Sequence, residues 1–221
     1  SNKIIFYPKN NNNNLTDIFK SGKFDTKELT NVEWIDNKSL VKKHYQRKGL
    51  MSIFKDFYLY SSIKKTRPFR ECEILHYLIC SNFNTCKPLI GWVEYLGGIF
   101  YKANLVTENI VGMNFCDFLK SQNIVESKMI ETYKKIGSAT AEMHKLSIFH
   151  GDLNINNIII SKNNYEVHII DFDKSYYKIL SVKDRERNLQ RLRRSLVKNN
   201  FFNQGHFDYF LDSYYSSIKN L

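Results

Sequence analysis

The sequence predicts an α+β fold in two lobes, a sheet-rich N-lobe over 1–108 and a reduced helical C-lobe over 109–221. Three observations predict it. Before Glu108, apolar residues cluster in short runs bounded by turn residues, the signature of strands. After Glu108 they recur mostly every three and four residues, the period of amphipathic helices. A polar loop, His150-Gly151-Asp152-Leu153-Asn154-Ile155-Asn156-Asn157, opens behind the longest of these helices.

In chain order, the polar run from Lys9 through Asn10 to Asn14 is a low-complexity loop. Val32-Glu33-Trp34-Ile35 and the stretch from Ser39 to Tyr45 flank Asp36-Asn37-Lys38, a turn signal, and so form a β-hairpin. Residues 49–62 are apolar and aromatic with scattered lysines. Phe69, Ile74, Leu75 and Leu78 place a helix over 68–81. Strands follow at 89–95 and 100–108, joined at Gly97-Gly98. Ile130, Tyr133, Ile136, Gly137, Thr140 and Met143 share the face of a helix over 126–146. Ile158-Ile159-Ile160 and Val167-His168-Ile169-Ile170 are short strands around the turn Lys162-Asn163-Asn164, and helices fill 181–199 and 204–219.

Composition narrows the class. With 221 residues, 43% of them hydrophobic, the chain can build one domain or two small lobes. It has no run of about 18 apolar residues, so no helix is expected to span a membrane. Ser1-Asn2-Lys3-Ile4-Ile5-Phe6 carries no signal-peptide pattern. Cys72, Cys80, Cys86 and Cys116 have no CxxC pairing and read as reduced core thiols of a cytosolic protein. The net charge of +11 suits a nucleic acid, an anionic membrane surface or an anionic substrate. It also follows from a Lys-, Asn- and Ile-rich composition, so charge alone does not choose the partner.

The chemistry lies in spacing. Asn157 follows Asp152 by five residues, and Asp171, in Ile169-Ile170-Asp171-Phe172-Asp173, lies fourteen beyond. That is the spacing of the protein-kinase-like phosphotransferases, and it makes the expected fold a bilobal, protein-kinase-like one with ATP between the lobes. Phosphoryl transfer needs a carboxylate to orient the attacking hydroxyl and oxygen ligands for Mg²⁺. Asp152 is assigned the first role, Asn157 and Asp171 the second. His150 and His144 read as structural. The loop has Gly151 where regulated protein kinases have an Arg that pairs with a phosphorylated activation loop. Only about 50 residues follow Asp171, too few for a platform that holds protein substrates. Both facts favour a small-molecule or lipid-linked hydroxyl.

In the first lobe, Lys42 and Lys43 compete to bind the α/β-phosphates. Strand alternation puts them on opposite faces. Lys43 is favoured, leaving Lys42 as a solvated surface residue. Its helix partner is Glu71 or Glu73; Glu71 shares a face with Leu75 and Leu78 and is preferred. No G-x-G-x-x-G exists. Gly22, in Ser21-Gly22-Lys23-Phe24, either approaches the phosphates or forms an ordinary turn. Thr107-Glu108-Asn109-Ile110 is the expected hinge, with the backbone at Glu108 and Ile110 against adenine. Asp173 replaces the Gly of the usual Asp-Phe-Gly and either helps a second metal or the acceptor, or caps the next segment. Arg187, Arg191 and Arg194 share one helical face, among Arg185, Arg193 and Lys198, while Leu189, Leu192 and Leu196 point inward. The arginines either form a solvated face or capture an acceptor phosphate or carboxylate.

These residues carry a resemblance. The stretch 40–49, the segment Thr66 to Glu71, the strand Tyr101 to Glu108, the His150 loop, Ile170-Asp171-Phe172-Asp173 and the run Asn188 to Lys198 resemble the lipopolysaccharide core kinases, most closely the 3-deoxy-D-manno-octulosonic acid (Kdo) kinases. The likeness spans about 32–198. The family's strand basic residue, commonly Arg, falls on Lys43, and its helix Glu on Glu71. The chain departs at Lys48, where Gly is common, and in its Asn-rich N-terminal stretch. The resemblance implies ATP- and Mg²⁺-dependent phosphorylation of the Kdo 4-hydroxyl on a lipid A precursor. It places the enzyme in the cytoplasm, peripheral to an anionic inner-membrane face, with no nucleic-acid partner. Residues 50–60 could dip into that interface or pack on the first lobe. Competing readings are a heptose kinase, an aminoglycoside- or choline-type kinase, and a non-catalytic pseudokinase.

Overall fold

The computed structural model describes residues 3–8, 22, 32–35, 37–45, 58–96, 100–121 and 123–219. The Asn-rich stretch, Gly97-Gly98, Lys48 and all but the last residues of the 50–60 segment lie outside them. The chain forms two compact units, one of residues 1–77 and 86–109, the other of 78–85 and 110–221.

The first unit is built on an antiparallel sheet. Its strands are β1 (Lys3–Phe6), β2 (Val32–Ile35), β3 (Leu40–His44), β4 (Tyr58–Leu59), β5 (Pro88–Leu96) and β6 (Phe100–Glu108). They run in the order β1-β5-β6-β3-β2, with β4 also on β6. The hairpin β2–β3 turns through Asn37 and Lys38, both at positive φ. Asn-type residues tolerate that region better than most, which is why the turn signal was readable. β3 lies beside β6 in the register Lys42↔Val106 and Lys43↔Leu105. One sheet face carries the apolar cluster Ile35, Leu89, Ile90, Trp92 and Val106. Lys42 shares that face and is 2% exposed, its ammonium 5.5 Å from the centroid of the Trp92 ring. This corrects the expectation of a solvated Lys42. The four-carbon stem is long enough to bury against apolar neighbours while the cation meets an aromatic face.

Helix α1 (Arg67–Cys80) buries Glu71, Cys72, Ile74, Leu75 and Leu78 and leaves Glu73 exposed. Cys72 and Cys116 are buried free thiols, whereas Cys86 is half-buried and Cys80 exposed, so the thiols do not all lie in the core. Burial first, then the Glu71 and Glu73 carboxylates, push the Cys72 thiol up to about 12, so it stays protonated.

The second unit contains β7 (Gly112–Asn114), α2 (Phe115–Lys120), α3 (Glu126–Lys145), β8 (Ile148–Phe149), β9 (Ile158–Ser161), β10 (Val167–Ile169), β11 (Tyr176–Tyr177), α4 (Val182–Lys198) and α5 (Gln204–Lys219). Two small antiparallel sheets, β10-β9-β7 and β11-β8, bracket the polar loop between β8 and β9. Tyr133, Ile136 and Met143 of α3 are fully buried, as are Phe210 and Tyr214 of α5. Ser181 caps α4 in a reciprocal capping box with Asp184. The ammonium of Lys178, 2.8 Å away, and the Ser181 hydroxyl hold the Asp184 carboxyl well below the usual carboxylate range.

Candidate active site

In the first unit, the Lys43 ammonium lies 2.8 and 3.0 Å from the two carboxylate oxygens of Glu71. The Tyr45 hydroxyl donates to the same carboxylate. Alternation explains the grouping: Lys43 on β3 and Tyr45 just past its end, still bonded to β6 through the Ala103 carbonyl, lie two apart and therefore on one face, opposite Lys42. Glu71 is 3% exposed, and the pair satisfies a carboxylate that would otherwise be stranded.

Gly22 has φ 76°, a left-handed turn conformation; Ser21, Lys23 and Phe24 lie outside the described residues. At the end of β6, the Glu108 N–H donates to the Lys87 carbonyl at 2.9 Å and the Asn109 N–H to Ser39 at 2.8 Å. The Ile110 N–H has no partner among the described residues.

In the second unit, the polar loop is braced from both sides. The His150 ring donates from Nε2 to the Ile170 carbonyl at 3.0 Å and accepts at Nδ1 from the Asp152 N–H at 3.1 Å. Both nitrogens are thus in use by a neutral ring, which ties Asp152 to the residue before Asp171. Phe172, fully buried, packs on the same ring at 4.7 Å between centroids. The Asn157 and Asn154 side-chain amides each donate to the Asp152 carbonyl at 2.9 Å. The Asn157 carbonyl accepts from the Ile170 N–H at 3.0 Å. These bonds place Asp152, Asn157 and Asp171 on one frame. They use the Asn157 amide nitrogen, so its Oδ1 remains as an oxygen donor. Asp171 sits at φ 64°. A non-glycine residue rarely holds that conformation unless its surroundings impose it, and such strain gathers at functional sites.

Gly151 has a steric reason. A Cβ there would lie 2.1 Å from the Lys174 carbonyl oxygen, so no Arg fits. The Lys174 ammonium in turn lies 3.1 Å from Asp152 Oδ2.

Asn188 was legible only as part of a resembling segment. It is fully buried on α4. Its Nδ2 donates to the His150 carbonyl at 2.7 Å, and its Oδ1 accepts from the His150 N–H and from His144 Nε2, both at 3.1 Å. Tyr214 closes the chain on His144 Nδ1 at 2.8 Å. Burial, foremost, pushes the His144 ring down to about 4, so it is neutral at pH 7. Seven residues along, Ser195 Oγ accepts from the Ile155 N–H at 3.2 Å. A polar pair at i and i+7 bordering the Leu192 stripe was the available signal. Of the arginines, Arg187 and Arg194 are exposed and Arg191 half-buried; Arg187 approaches Asp184 at 3.8 Å.

Among the described residues no three His, Cys, Asp or Glu cluster around a possible metal. A Mg²⁺ site of one carboxylate and one amide oxygen matches the hard donors this ion prefers, the remaining positions falling to nucleotide phosphates and water.

The model of the lipopolysaccharide kinase (Kdo/WaaP) family matches residues 17–214. The chain is 34% identical over 157 residues to a 3-deoxy-D-manno-octulosonic acid kinase of Vibrio cholerae, and 36% identical over 159 residues to one of Mannheimia succiniciproducens. Each match covers 71% of this chain but 64% and 65% of those proteins, so the chain spans less than two thirds of their length. A solved structure described as WaaP in complex with acyl carrier protein has a TM-score of 0.61 over 86% of this chain and 77% of that one, at 12% identity, a likeness of fold alone.

Proposed function

The chain belongs to the lipopolysaccharide kinase (Kdo/WaaP) family, and from that premise we propose that it transfers the γ-phosphate of ATP to the 4-hydroxyl of Kdo on a lipid A precursor. The single observation that carries the chemistry is the frame through His150, which ties the Asp152 amide to the Ile170 carbonyl beside Asp171. Asp152 orients the acceptor hydroxyl and takes its proton. Asn157 Oδ1 and the Asp171 carboxylate would hold Mg²⁺, which when bound neutralises phosphate charge. Lys43, fixed by Glu71, takes the α/β-phosphates; the turn at Gly22 and the backbone at Glu108 and Ile110 are proposed nucleotide contacts. Arg187, Arg191 and Arg194 are proposed for the phosphates and carboxylate of the acceptor, since guanidinium matches both planar and tetrahedral oxyanions.

The substrate is a membrane lipid, and no helix among the described residues is long and apolar enough to cross a membrane. A peripheral contact with an anionic surface is the corresponding proposal. The stretch after Asp171 supports it: Ile179 is 91% exposed, Tyr176, Tyr177 and Val182 are exposed too, and Lys183 stands beside them. Apolar tips flanked by lysine suit a headgroup boundary.

The test is transfer of radiolabelled γ-phosphate to the precursor with and without its Kdo. Labelling of the Kdo form alone is expected, and Asp152→Ala is expected to lower it by at least about a thousandfold while nucleotide still binds. Equal labelling of both forms sinks the acceptor assignment; a near wild-type rate for the variant sinks the role of Asp152.

A further inference from the structure

We infer that Lys174 is a catalytic residue: its ammonium holds the γ-phosphate in place and sets the Asp152 carboxylate toward the attacking hydroxyl. The inference rests on the kinase reading above. In that reaction the acceptor oxygen forms a bond to the γ-phosphorus as its proton passes to Asp152. The bond from phosphorus to the β,γ-bridging oxygen breaks, and its electron pair stays on ADP. The phosphoryl group in flight carries its charge on three outer oxygens. Positive charge set in place where that charge develops lowers the barrier, one such donor typically contributing about a hundredfold to a thousandfold in kcat.

The loop that bears the base cannot supply that charge. Its residues are Gly151, Leu153, Asn154, Ile155, Asn156 and Asn157, and His150 is neutral with both ring nitrogens occupied. Lys43 belongs to the first unit and is bound to Glu71. Among the described residues the cation paired with the base is Lys174, its Nζ 3.1 Å from Asp152 Oδ2.

The backbone that carries Lys174 is fixed, and its ammonium is already placed on Asp152. The Lys174 carbonyl occupies the space beside Gly151, and the Ser175 hydroxyl accepts from the Gly151 N–H at 3.4 Å. The Ser175 N–H donates to the Phe172 carbonyl at 2.9 Å. The ammonium itself is open: the two side chains are 62% and 41% exposed. An ion pair that exposed adds little stability, so this one is not explained as a brace. An ammonium on a flexible stem presents three donors and can bridge a carboxylate and a phosphate oxygen together.

The experiment compares wild type, Lys174→Met and Lys174→Arg. It reads kcat and KM for ATP with the Kdo-bearing precursor, ADP release without acceptor, and thermal unfolding. Lys174→Met is expected to lower kcat about a hundredfold or more, with KM for ATP within about threefold and Tm within about 2 °C. ADP release should fall in parallel, and Lys174→Arg should recover part of both. An unchanged kcat overturns the inference, and so does a raised one, which would make Lys174 a plug on Asp152. If wild type releases ADP but phosphorylates no Kdo, the acceptor assignment has failed, and the ADP-release series still decides Lys174.

Discussion

Lys43 directs its ammonium to a carboxylate that is 3% exposed, while Lys42, one residue earlier, lies over the Trp92 ring on the other sheet face. Lys43→Met would leave Glu71 buried with the Tyr45 hydroxyl, and stranding a buried charge costs about 3 kcal/mol. Turnover should fall at least about a hundredfold. Lys42→Met keeps an apolar stem against Trp92 and should change kcat only severalfold; thermal unfolding and the transfer assay read both. The opposite faces were legible because strands have a period of two. The burial of Lys42 was not, because it depends on Trp92, fifty residues away in sequence and placed by the β5–β6–β3 pairing. His144 gives a pH signature at the same scale. Its folded value of about 4 lies below its ordinary 6.5, so between those values the unfolded chain binds a proton that the folded one refuses. Stability is therefore full above pH 6.5 and falls as pH drops toward 4, by about 3 kcal/mol in all. His168, also held low by burial, adds to the same slope. Urea unfolding across pH 7 to about 4 should show the slope, and His144→Gln should flatten most of it even where it lowers stability overall.

Helix α4 does two jobs along two adjacent stripes. Leu189, Leu192 and Leu196 are buried apolar residues, while Asn188 and Ser195 bond the loop that carries Asp152. Leu196→Ala should destabilise by about 2–5 kcal/mol through lost packing, with kcat nearly unchanged once the protein is kept folded. Asn188→Ala removes the bonds this side chain makes to the His150 N–H and carbonyl and to His144 Nε2, costing about 2 kcal/mol or more. It should also lower kcat on the order of tenfold to a hundredfold, since it loosens the residue that aligns Asp152. Equal kcat in both variants at a temperature where each is folded would refute the separate roles. The elements themselves were legible from period and turn chemistry, as with the helices expected at 126–146 and 181–199 and found at Glu126–Lys145 and Val182–Lys198. The bonding of Asn188 to His150 was not, because an Asn on an amphipathic helix shows no partner until α4 meets β8 and the loop. The same holds for Gly151, whose spacing from Asp152 was readable but whose lack of a Cβ is explained only by the Lys174 carbonyl.

For the whole molecule, the net charge of +11 raises the question of whether affinity for an anionic acceptor is spread over the surface or concentrated in one stripe. A diffuse field acts over distance and is screened once the Debye length shrinks to a few ångströms. A guanidinium cluster acts by contact and resists salt better. Arg187, Arg191 and Arg194 border the α4 stripe that carries Asn188 and Ser195, the two side chains that bond the loop of Asp152. Replacing all three with Gln removes three of the eleven net positive charges. If charge acts only diffusely, the KM for vesicle-borne acceptor should rise modestly and its dependence on NaCl should weaken in proportion. With a contact stripe, that KM should rise about tenfold or more even at about 0.5 M NaCl, where steering is largely screened, while KM for ATP stays put. We expect the second result. A variant whose loss vanishes at high salt would assign the acceptor's affinity to the field of the whole protein and leave the three arginines as an ordinary solvated face.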